Sequence, residues 1–259
     1  MNKSDLFIYV PAHLLAARLP FLINRKWQPE VACHEVQLSR LDFGQLGESA
    51  AQLYEHGLGT TLHAPFYDFN PGSPKRRLRK SSHKIADQSL QLAEKLSAKR
   101  IVFHPGLPYG SGVPEQQLWL KNALEFWPEY LERAAEINCI ICIENIYEGA
   151  PELFMELLKT INSPNLGHVF DIGHWNIFST RKLIDWLDAT APYLKHLHLH
   201  DNHGEHDEHL PVGRGYVPFS TLFTWLEGRK NLPTMTLENH NLPDVEISLN
   251  ALEQYFSSI

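Results

Sequence analysis

The segment HLHLHDNHGEHDEH, residues 196–209, places six histidines within fourteen positions and intersperses carboxylates among them. Imidazole and carboxylate groups are common ligands of zinc, manganese and cobalt, so divalent-metal chemistry is what these side chains could supply. The segment could be a loose histidine-rich tract. Alternatively, a fold could select two or three ligands from it and leave the other histidines without a role. The choice depends on what the rest of the chain places beside them.

Within this segment, His196, His198 and His200 alternate with Leu197 and Leu199. Successive residues of a β-strand face opposite sides, so we predict a strand with its leucines against helices and its histidines inside. His198 is expected to be a metal ligand at the end of the strand. His196, one step deeper, is predicted to orient a ligand from behind. His200 shares the inward parity but is expected at the rim, in contact with substrate.

The loop after this strand contains a second pair of ligand types. Asp207 and His209 are one residue apart, and in an extended loop such residues project from the same side. They could therefore clamp one ion. His203 and His206 lack such a partner and are expected to be ordinary loop residues. The sequence GRG at 213–215 is too short for a nucleotide-binding loop and is predicted to shape the turn after His209.

Eight short apolar runs recur along the chain and alternate with longer stretches of helical spacing. Dividing 259 residues among eight units gives about 32 residues each, which is typical of a (β/α)8 barrel. We therefore predict one α/β domain, a TIM barrel over residues 1–259. The runs are LFIYVP, VACHEV, GTTLHAP, RIVFHPG, CIICIEN, GHVFDIGH, LKHLHLHD and TMTLENH.

Ligand-type side chains stand at the ends of most of these runs. In such a barrel, active-site residues gather at the carboxyl ends of the strands. Burying an unpaired polar group costs on the order of 1–3 kcal/mol, and a lone carboxylate more, so their convergence indicates a bound cation. The corner FDIGHWN adds His174, three residues after the strand end. The strand-end residues are His63, His104, Glu144, Asp171 and Glu238.

Several motifs are similar to those of the xylose-isomerase-like TIM barrels, the family that includes endonuclease IV: HAPF, FHPG, IEN, FDIGH, LHLHDN, DEHLPVGRG and LEN. The likeness spans the chain from His63 to Glu238. Endonuclease IV holds three zinc ions with nine ligands, and each ligand has a matching position here. The resemblance implies three groups: His63, His104 and Glu144; Glu144 as a bridge to Asp171, His198 and Glu238; and His174, Asp207 and His209.

The resemblance leaves two reactions open. Sugar isomerases and epimerases of this superfamily need only the central metal and move a proton with the flanking carboxylates. A metal cluster instead suits phosphodiester hydrolysis, because it can generate hydroxide and stabilise both the attacking and the leaving oxygen. Glu144 and Glu238 are the expected catalytic residues. Four ligands exceed what an isomerase requires and favour a hydrolase with two or three zinc, manganese or cobalt ions: His63, His104, Asp207 and His209.

The overall charge bears on the substrate. A net charge of −7 and a pI of about 6.1 provide no general basic surface for a nucleic-acid backbone, which argues against duplex DNA. Within the superfamily, HAPFYDFNPGSP, IENIYE, LHLHDN and TLENH most resemble the cobamide-remodelling phosphodiesterases, which cleave the nucleotide-loop phosphodiester of corrinoids. We therefore expect a small phosphate-containing substrate, contacted by His200 and Arg214. The alternatives are a sugar or sugar-phosphate isomerase and a non-catalytic metal-binding regulatory barrel.

Three further features carry weaker expectations. Three cysteines, an odd number, suit a reducing compartment, and the apolar stretches near the N-terminus are too short for a signal or a membrane span, so we expect a soluble cytoplasmic protein. Cys139 and Cys142 are separated by an odd step, which points them to opposite faces of a strand as core residues. The run KRRLRK, residues 75–80, is either a phosphate contact at the barrel mouth or a solvated first turn of helix. The oligomeric state is left open.

Overall fold

The computed structural model describes residues 5–34 and 37–256 and contains a closed barrel of eight parallel strands that follow one another in chain order. The last strand closes on the first, with Ile8 opposite Leu237. The predicted (β/α)8 architecture is therefore confirmed. The strands are β1 Leu6–Pro11, β2 Gln28–Ala32, β3 Thr61–His63, β4 Arg100–Phe103, β5 Ile140–Glu144, β6 Leu166–Asp171, β7 Leu194–Leu199 and β8 Thr234–Leu237.

Helices alternate with the strands and cover the outside of the barrel. Within residues 5–34 and 37–256, no helix combines the length and the apolar character needed to cross a membrane. The α-helices of the described chain are α1 Leu15–Arg25, α2 Phe43–Glu55, α3 Arg76–Leu96, α4 Val113–Glu136, α5 Glu152–Ile161, α6 Ile172–Phe178, α7 Leu183–Thr190, α8 Phe219–Leu226 and α9 Leu242–Phe256.

Apolar side chains fill the layer between strands and helices and fix the orientation of β7. Leu197 and Leu199 point into this layer and have no exposed surface. Burial stabilises a leucine side chain by about 1.5–3 kcal/mol, so a strand with two leucines on one face is held with that face outward. Inside the barrel, Val102, Cys142 and Val169 form a separate small apolar cluster. The predicted alternation of β7 is confirmed.

β2 begins earlier than the sequence predicted. The predicted run VACHEV starts at Val31, whereas the strand covers Gln28–Ala32, and the last two residues of that run, 35 and 36, lie outside the described residues. Because β2 starts at Gln28, Glu30 belongs to this strand. Its side chain is fully buried, and its neighbours in register are Tyr9 on β1 and Thr61 on β3. Proline and glutamate in QPEVA concealed this strand, because neither residue favours β-structure.

One of the weaker expectations is confirmed and one open alternative is decided. Cys139 packs in the outer core and Cys142 inside the barrel, and burial raises the pKa of each thiol to about 12. The basic run opens α3 at Arg76, and Arg79 donates to the main-chain carbonyl of Ser73 at the start of that helix. This run is therefore a solvated first turn of helix.

Two structural devices hold the polar corners at the end of the barrel. β6 ends at Asp171 and α6 begins at the next residue, with the Asp171 carboxylate accepting the His174 N–H at 2.6 Å. In the loop after β7, the buried Asp201 carboxylate accepts main-chain N–H groups from Gly213, Gly215 and Val217 at 2.8–3.0 Å. Asp201 therefore closes the loop that carries the predicted Asp207 and His209 pair, and GRG shapes its turn as expected.

We predict that Asp201→Asn destabilises this loop and the whole fold. An amide NH₂ would face main-chain donors where a carboxylate oxygen now accepts, which leaves buried N–H groups without acceptors and costs on the order of 2–4 kcal/mol. Chemical denaturation monitored by circular dichroism measures the change. Asp188→Asn is the matched control, because the Asp188 side chain is 60% exposed and its contacts with Arg229 and Trp225 lie at the surface. Equal effects of the two substitutions would contradict the prediction.

Candidate metal centre

The carboxyl ends of the strands surround an open cavity of about 730 Å³. Asp171 and His198 are fully buried behind its wall, and the other seven predicted ligands line it. The structure thus brings the whole predicted set to one end of the barrel. The lining ligands are His63, His104, Glu144, His174, Asp207, His209 and Glu238.

The centre of the site is the Nδ1 atom of His198. It lies 3.1 Å from Oε1 of Glu144, 3.2 Å from Oε1 of Glu238 and 3.8 Å from Oδ2 of Asp171. Three carboxylates from β5, β6 and the end of β8 therefore converge on one imidazole from β7. This is the central group implied by the family resemblance.

Glu144 also faces a second group. Its other oxygen, Oε2, lies 3.2 Å from Nε2 of His63 and 3.4 Å from Nε2 of His104. Potential ligand atoms of these three residues all lie within 4.8 Å of one another. Because its two oxygens are divided between the groups, Glu144 has the geometry of the predicted bridge.

A third group lies at the edge of the mouth around Asp207. Its Oδ2 is 3.3 Å from Nε2 of His174 and 3.2 Å from Nε2 of His209. His209 has a positive φ of 50°, and its Nδ1 lies 2.9 Å from the main-chain oxygen of Glu238 at the end of β8. The side chain of Asp207 is 38% exposed, so this group is the most open of the three.

Main-chain carbonyls orient three of the histidines. Nδ1 of His63 lies 3.1 Å from the Ala64 oxygen, that of His174 lies 3.1 Å from the Asn145 oxygen, and that of His209 lies 2.9 Å from the Glu238 oxygen. A carbonyl can only accept, so each Nδ1 carries the proton and each Nε2 faces a carboxylate. Metal-binding histidines are commonly fixed in this way, with the second nitrogen held by a hydrogen bond.

The charges of the site suit a divalent cation. Burial alone raises the pKa of Glu144 and Asp171, but the histidines outweigh it and hold the pKa of both below its usual range. Burial and the neighbouring carboxylates keep the pKa of Glu238 raised, although His198 acts against them. Burial lowers the pKa of His198, but the surrounding carboxylates, Glu238 first, raise it well above its usual value. Without metal, protons on the histidines therefore balance the carboxylates, and a cation of the predicted type fits the donor set.

Two predicted substrate contacts need correction. His200 does not lie at the rim: it has no exposed surface, its Nε2 is 3.2 Å from both oxygens of Asp171, and its ring stacks on His209 at 4.1 Å. Gly173 packs so closely that an added β-carbon would lie 2.1 Å from the His200 ring. Arg214 is exposed on the turn after the loop and does not line the cavity. The rim prediction failed because the strand end lies deeper in the barrel than parity alone can show.

The remaining histidines of the 196–209 segment, His196, His203 and His206, lie where the sequence predicted. His196 is fully buried, with its ring nitrogens 2.6 Å and 2.8 Å from the hydroxyls of Thr234 and Thr236. His203 and His206 are exposed in the loop, and His203 pairs with Glu208.

Sequence reasoning missed several residues beside the site. Glu30 lies 3.1 Å from Nε2 of His198, on the side away from the carboxylates. His34 lines the cavity, with its ring 4.2 Å from that of His63. The side-chain amide of Asn145 donates to the main-chain carbonyl of Asp171 at 2.8 Å and accepts from its main-chain N–H at 2.9 Å. The motif IEN marked Asn145. Glu30 preceded the predicted start of its strand, and His34, although inside the predicted run VACHEV, was not picked out as a site residue.

A family model described as "Xylose isomerase-like TIM barrel" matches residues 29–255. The protein MJ1311 of Methanocaldococcus jannaschii is 32% identical over 76% of this chain and 70% of its own length. A probable endonuclease 4 of Malacoplasma penetrans is 26% identical over 66% of this chain and 65% of its own.

Two solved structures extend the comparison. The protein TTHB071 from Thermus thermophilus, soaked with ZnCl₂, superposes with a TM-score of 0.81 at 27% identity and covers 98% of both chains. A D-tagatose 3-epimerase-like protein superposes with a TM-score of 0.81 at 25% identity and covers 97% of both.

We predict that metal affinity rises with pH between about 7 and 9. Burial lowers the pKa of His209, but the hydrogen bond to Asp207 and the charge of Glu238 raise it to about 9. The ring is therefore protonated at neutral pH in the metal-free protein, and a metal must displace that proton. Zinc titrations at several pH values measure the slope, and His209→Asn should lower the number of protons released by about one. A flat pH profile would contradict the assignment of His209.

A second prediction separates the ligands from the incidental histidines. His198→Ala and His209→Ala should lower the metal content per chain, measured by elemental analysis after dialysis, because each removes a ligand atom from a converging group. His203→Ala and His206→Ala should leave it unchanged, because both side chains are exposed in the loop. Similar small losses in all four variants would instead show a diffuse histidine tract.

Proposed function

Since the chain belongs to the xylose isomerase-like TIM barrel family, we propose that it is a divalent-metal-dependent hydrolase that cleaves a phosphodiester in a small-molecule substrate. The observation that carries the proposal is the division of the Glu144 carboxylate between two groups of histidines. An epimerase of the kind described above requires one metal at His198. A carboxylate that bridges to a second group, with a third group around Asp207, supports two or three ions. The predicted ligand set is retained in this proposal in full.

Bound divalent ions would neutralise the phosphodiester, lower the pKa of water and stabilise the leaving oxygen. The chain's own residues hold these ions and manage protons. In hydrolysis water adds to phosphorus, the ester P–O bond breaks, and the leaving oxygen takes up a proton. Glu144 and Glu238 both approach Nδ1 of His198, so as ionised ligands they would hold the central ion, and the water that adds to phosphorus supplies the proton that the leaving oxygen takes up.

The lining of the cavity bears on the substrate. Within residues 5–34 and 37–256, the residues that line it include no lysine or arginine. A duplex nucleic acid would need such side chains along its backbone, so the charge of one phosphodiester must be met by the metal centre itself. Tyr67 and Tyr147 are 67% and 44% exposed at the wall, and Phe66 and Phe178 lie beside them. Aromatic walls of this kind suit a flat or ring-containing substituent, such as the nucleotide loop of a corrinoid.

Sugar epimerisation is the second candidate, and one observation favours it. Glu144 and Glu238 approach the same His198 nitrogen from β5 and the end of β8, so a sugar carbon held between them would meet a carboxylate on each side. Two carboxylates so placed could remove and return a proton at one carbon. The epimerase-like structural relative agrees with this candidate. The number of bound metals and the reaction products distinguish the two functions.

We predict more than one equivalent of transition metal per chain after mild dialysis against zinc, manganese or cobalt, with metal-dependent cleavage of an aryl phosphodiester. His104→Ala should lower both the metal content and the turnover, because it removes a ligand from the second group. An exposed histidine, His13→Ala, is the matched control and should change neither.

A panel of substrates tests the reaction class. It contains bis(p-nitrophenyl) phosphate, a corrinoid, a duplex with an abasic site and D-tagatose. Cleavage of either of the first two supports the proposal. A single metal equivalent with epimerisation and no hydrolysis would establish the second candidate, and efficient nicking of the duplex alone would overturn the substrate class.

A further inference from the structure

A buried carboxylate lies on the far side of the metal centre, inside the barrel. Glu30 extends from β2 across the barrel interior to β7 and has no exposed surface. It does not line the cavity, and no substrate can reach it. Burying a carboxylate away from water is unfavourable unless hydrogen bonds or positive charges around it offset the lost hydration. The contacts of Glu30 therefore define its role.

Each oxygen of Glu30 has its own set of contacts. Oε2 accepts hydrogen bonds from the hydroxyls of Thr61 and Thr236, at 2.9 Å and 3.1 Å, and lies 3.3 Å from Nε2 of His196. Oε1 lies 3.1 Å from Nε2 of His198. Both atoms are buried, and neither makes a hydrogen bond of good geometry within residues 5–34 and 37–256. Their contact with each other is therefore a close ion pair, and each is the nearest charged partner that the other faces.

His198 differs in this respect from the histidines around it. His63, His174 and His209 give Nδ1 to a main-chain carbonyl and present Nε2 to the site. His198 presents Nδ1 to the site, and its Nε2 faces Glu30. A side chain from across the barrel supplies the acceptor instead.

We propose that Glu30 is a positioning residue for the metal centre, which holds the proton of His198 on Nε2 and so leaves Nδ1 free to bind the central metal. Thr61, Thr236 and His196 hold the Glu30 carboxylate in turn. His196 thus acts on the ligand through Glu30, which gives a physical route for the orienting role that its position in the sequence predicted. The inference rests on the proposed metal centre and not on the reaction.

The first test uses the wild-type chain. In the zinc-loaded protein labelled with ¹⁵N-histidine, His198 should bind zinc through Nδ1 and carry a slowly exchanging proton on Nε2. Loss of one set of ring signals in His198→Gln assigns them. Zinc binding through Nε2, or no zinc-dependent shift of the His198 signals, would overturn the inference. Absence of phosphodiesterase activity with Nδ1 ligation intact would overturn only the proposed reaction.

The second test uses Glu30→Gln, which keeps the shape of the side chain and removes its charge. Zinc affinity, measured by competition with a chromophoric chelator, should fall about 10- to 100-fold, the range seen when such outer partners are removed. Glu148→Gln is the matched control, because Glu148 is also buried but bonds the main chain of Ile146. It should leave zinc affinity within about twofold of wild type. Circular dichroism and thermal unfolding confirm that both variants fold.

Unchanged zinc affinity in a folded Glu30→Gln variant would overturn the positioning role. An equal loss of affinity in the Glu148→Gln control would also overturn it, since the effect would then follow from the loss of any buried carboxylate. If Glu30→Gln fails to fold, the histidine spectrum of the wild-type protein alone decides the question.

Discussion

Carboxylates buried inside a barrel must be matched by positive charge, and the whole mouth of this protein is arranged around that requirement. Glu30, Glu144 and Asp171 are at most 1% exposed. Within the described residues, the ion pairs of these three side chains are all with histidines. A lysine or arginine would satisfy the same charge permanently. Histidine can give up its proton, so it neutralises the carboxylates in one state and becomes a neutral ligand in the other.

This choice explains the density of histidines on β7. His196, His198 and His200 occupy three successive inward positions, and each faces a different acidic side chain or hydroxyl. The residues between them, Leu197 and Leu199, point outward and pack in the apolar layer between the strands and the helices. β7 and the residue that follows it therefore carry imidazoles at three depths of the barrel, and the carboxylates of neighbouring strands lie against them.

Much of this arrangement follows from the sequence because it depends on local periodicity. The leucine and histidine alternation of β7, the strand-end positions of His63 and Glu144, and the short corner at Asp171 all depend on neighbours in the chain. Glu30 and the depth of His200 could not be predicted, because both depend on which strands face each other across the barrel. That relation involves residues far apart in the chain. The predicted substrate contact by Arg214 was wrong for a related reason, because the direction of this exposed turn depends on the hydrogen bonds that it makes to Asp201.

The left-handed backbone of His209 has a meaning of its own. A residue with a β-carbon loses roughly 1–2 kcal/mol in this conformation relative to the right-handed one, a cost that glycine largely avoids. Glycine would adopt this backbone conformation with less strain, yet the position is occupied by a histidine with its bulky ring. Strain of this kind concentrates where a side chain is retained for its chemistry, so the loop exchanges some robustness of the fold for an imidazole at the entrance to the barrel.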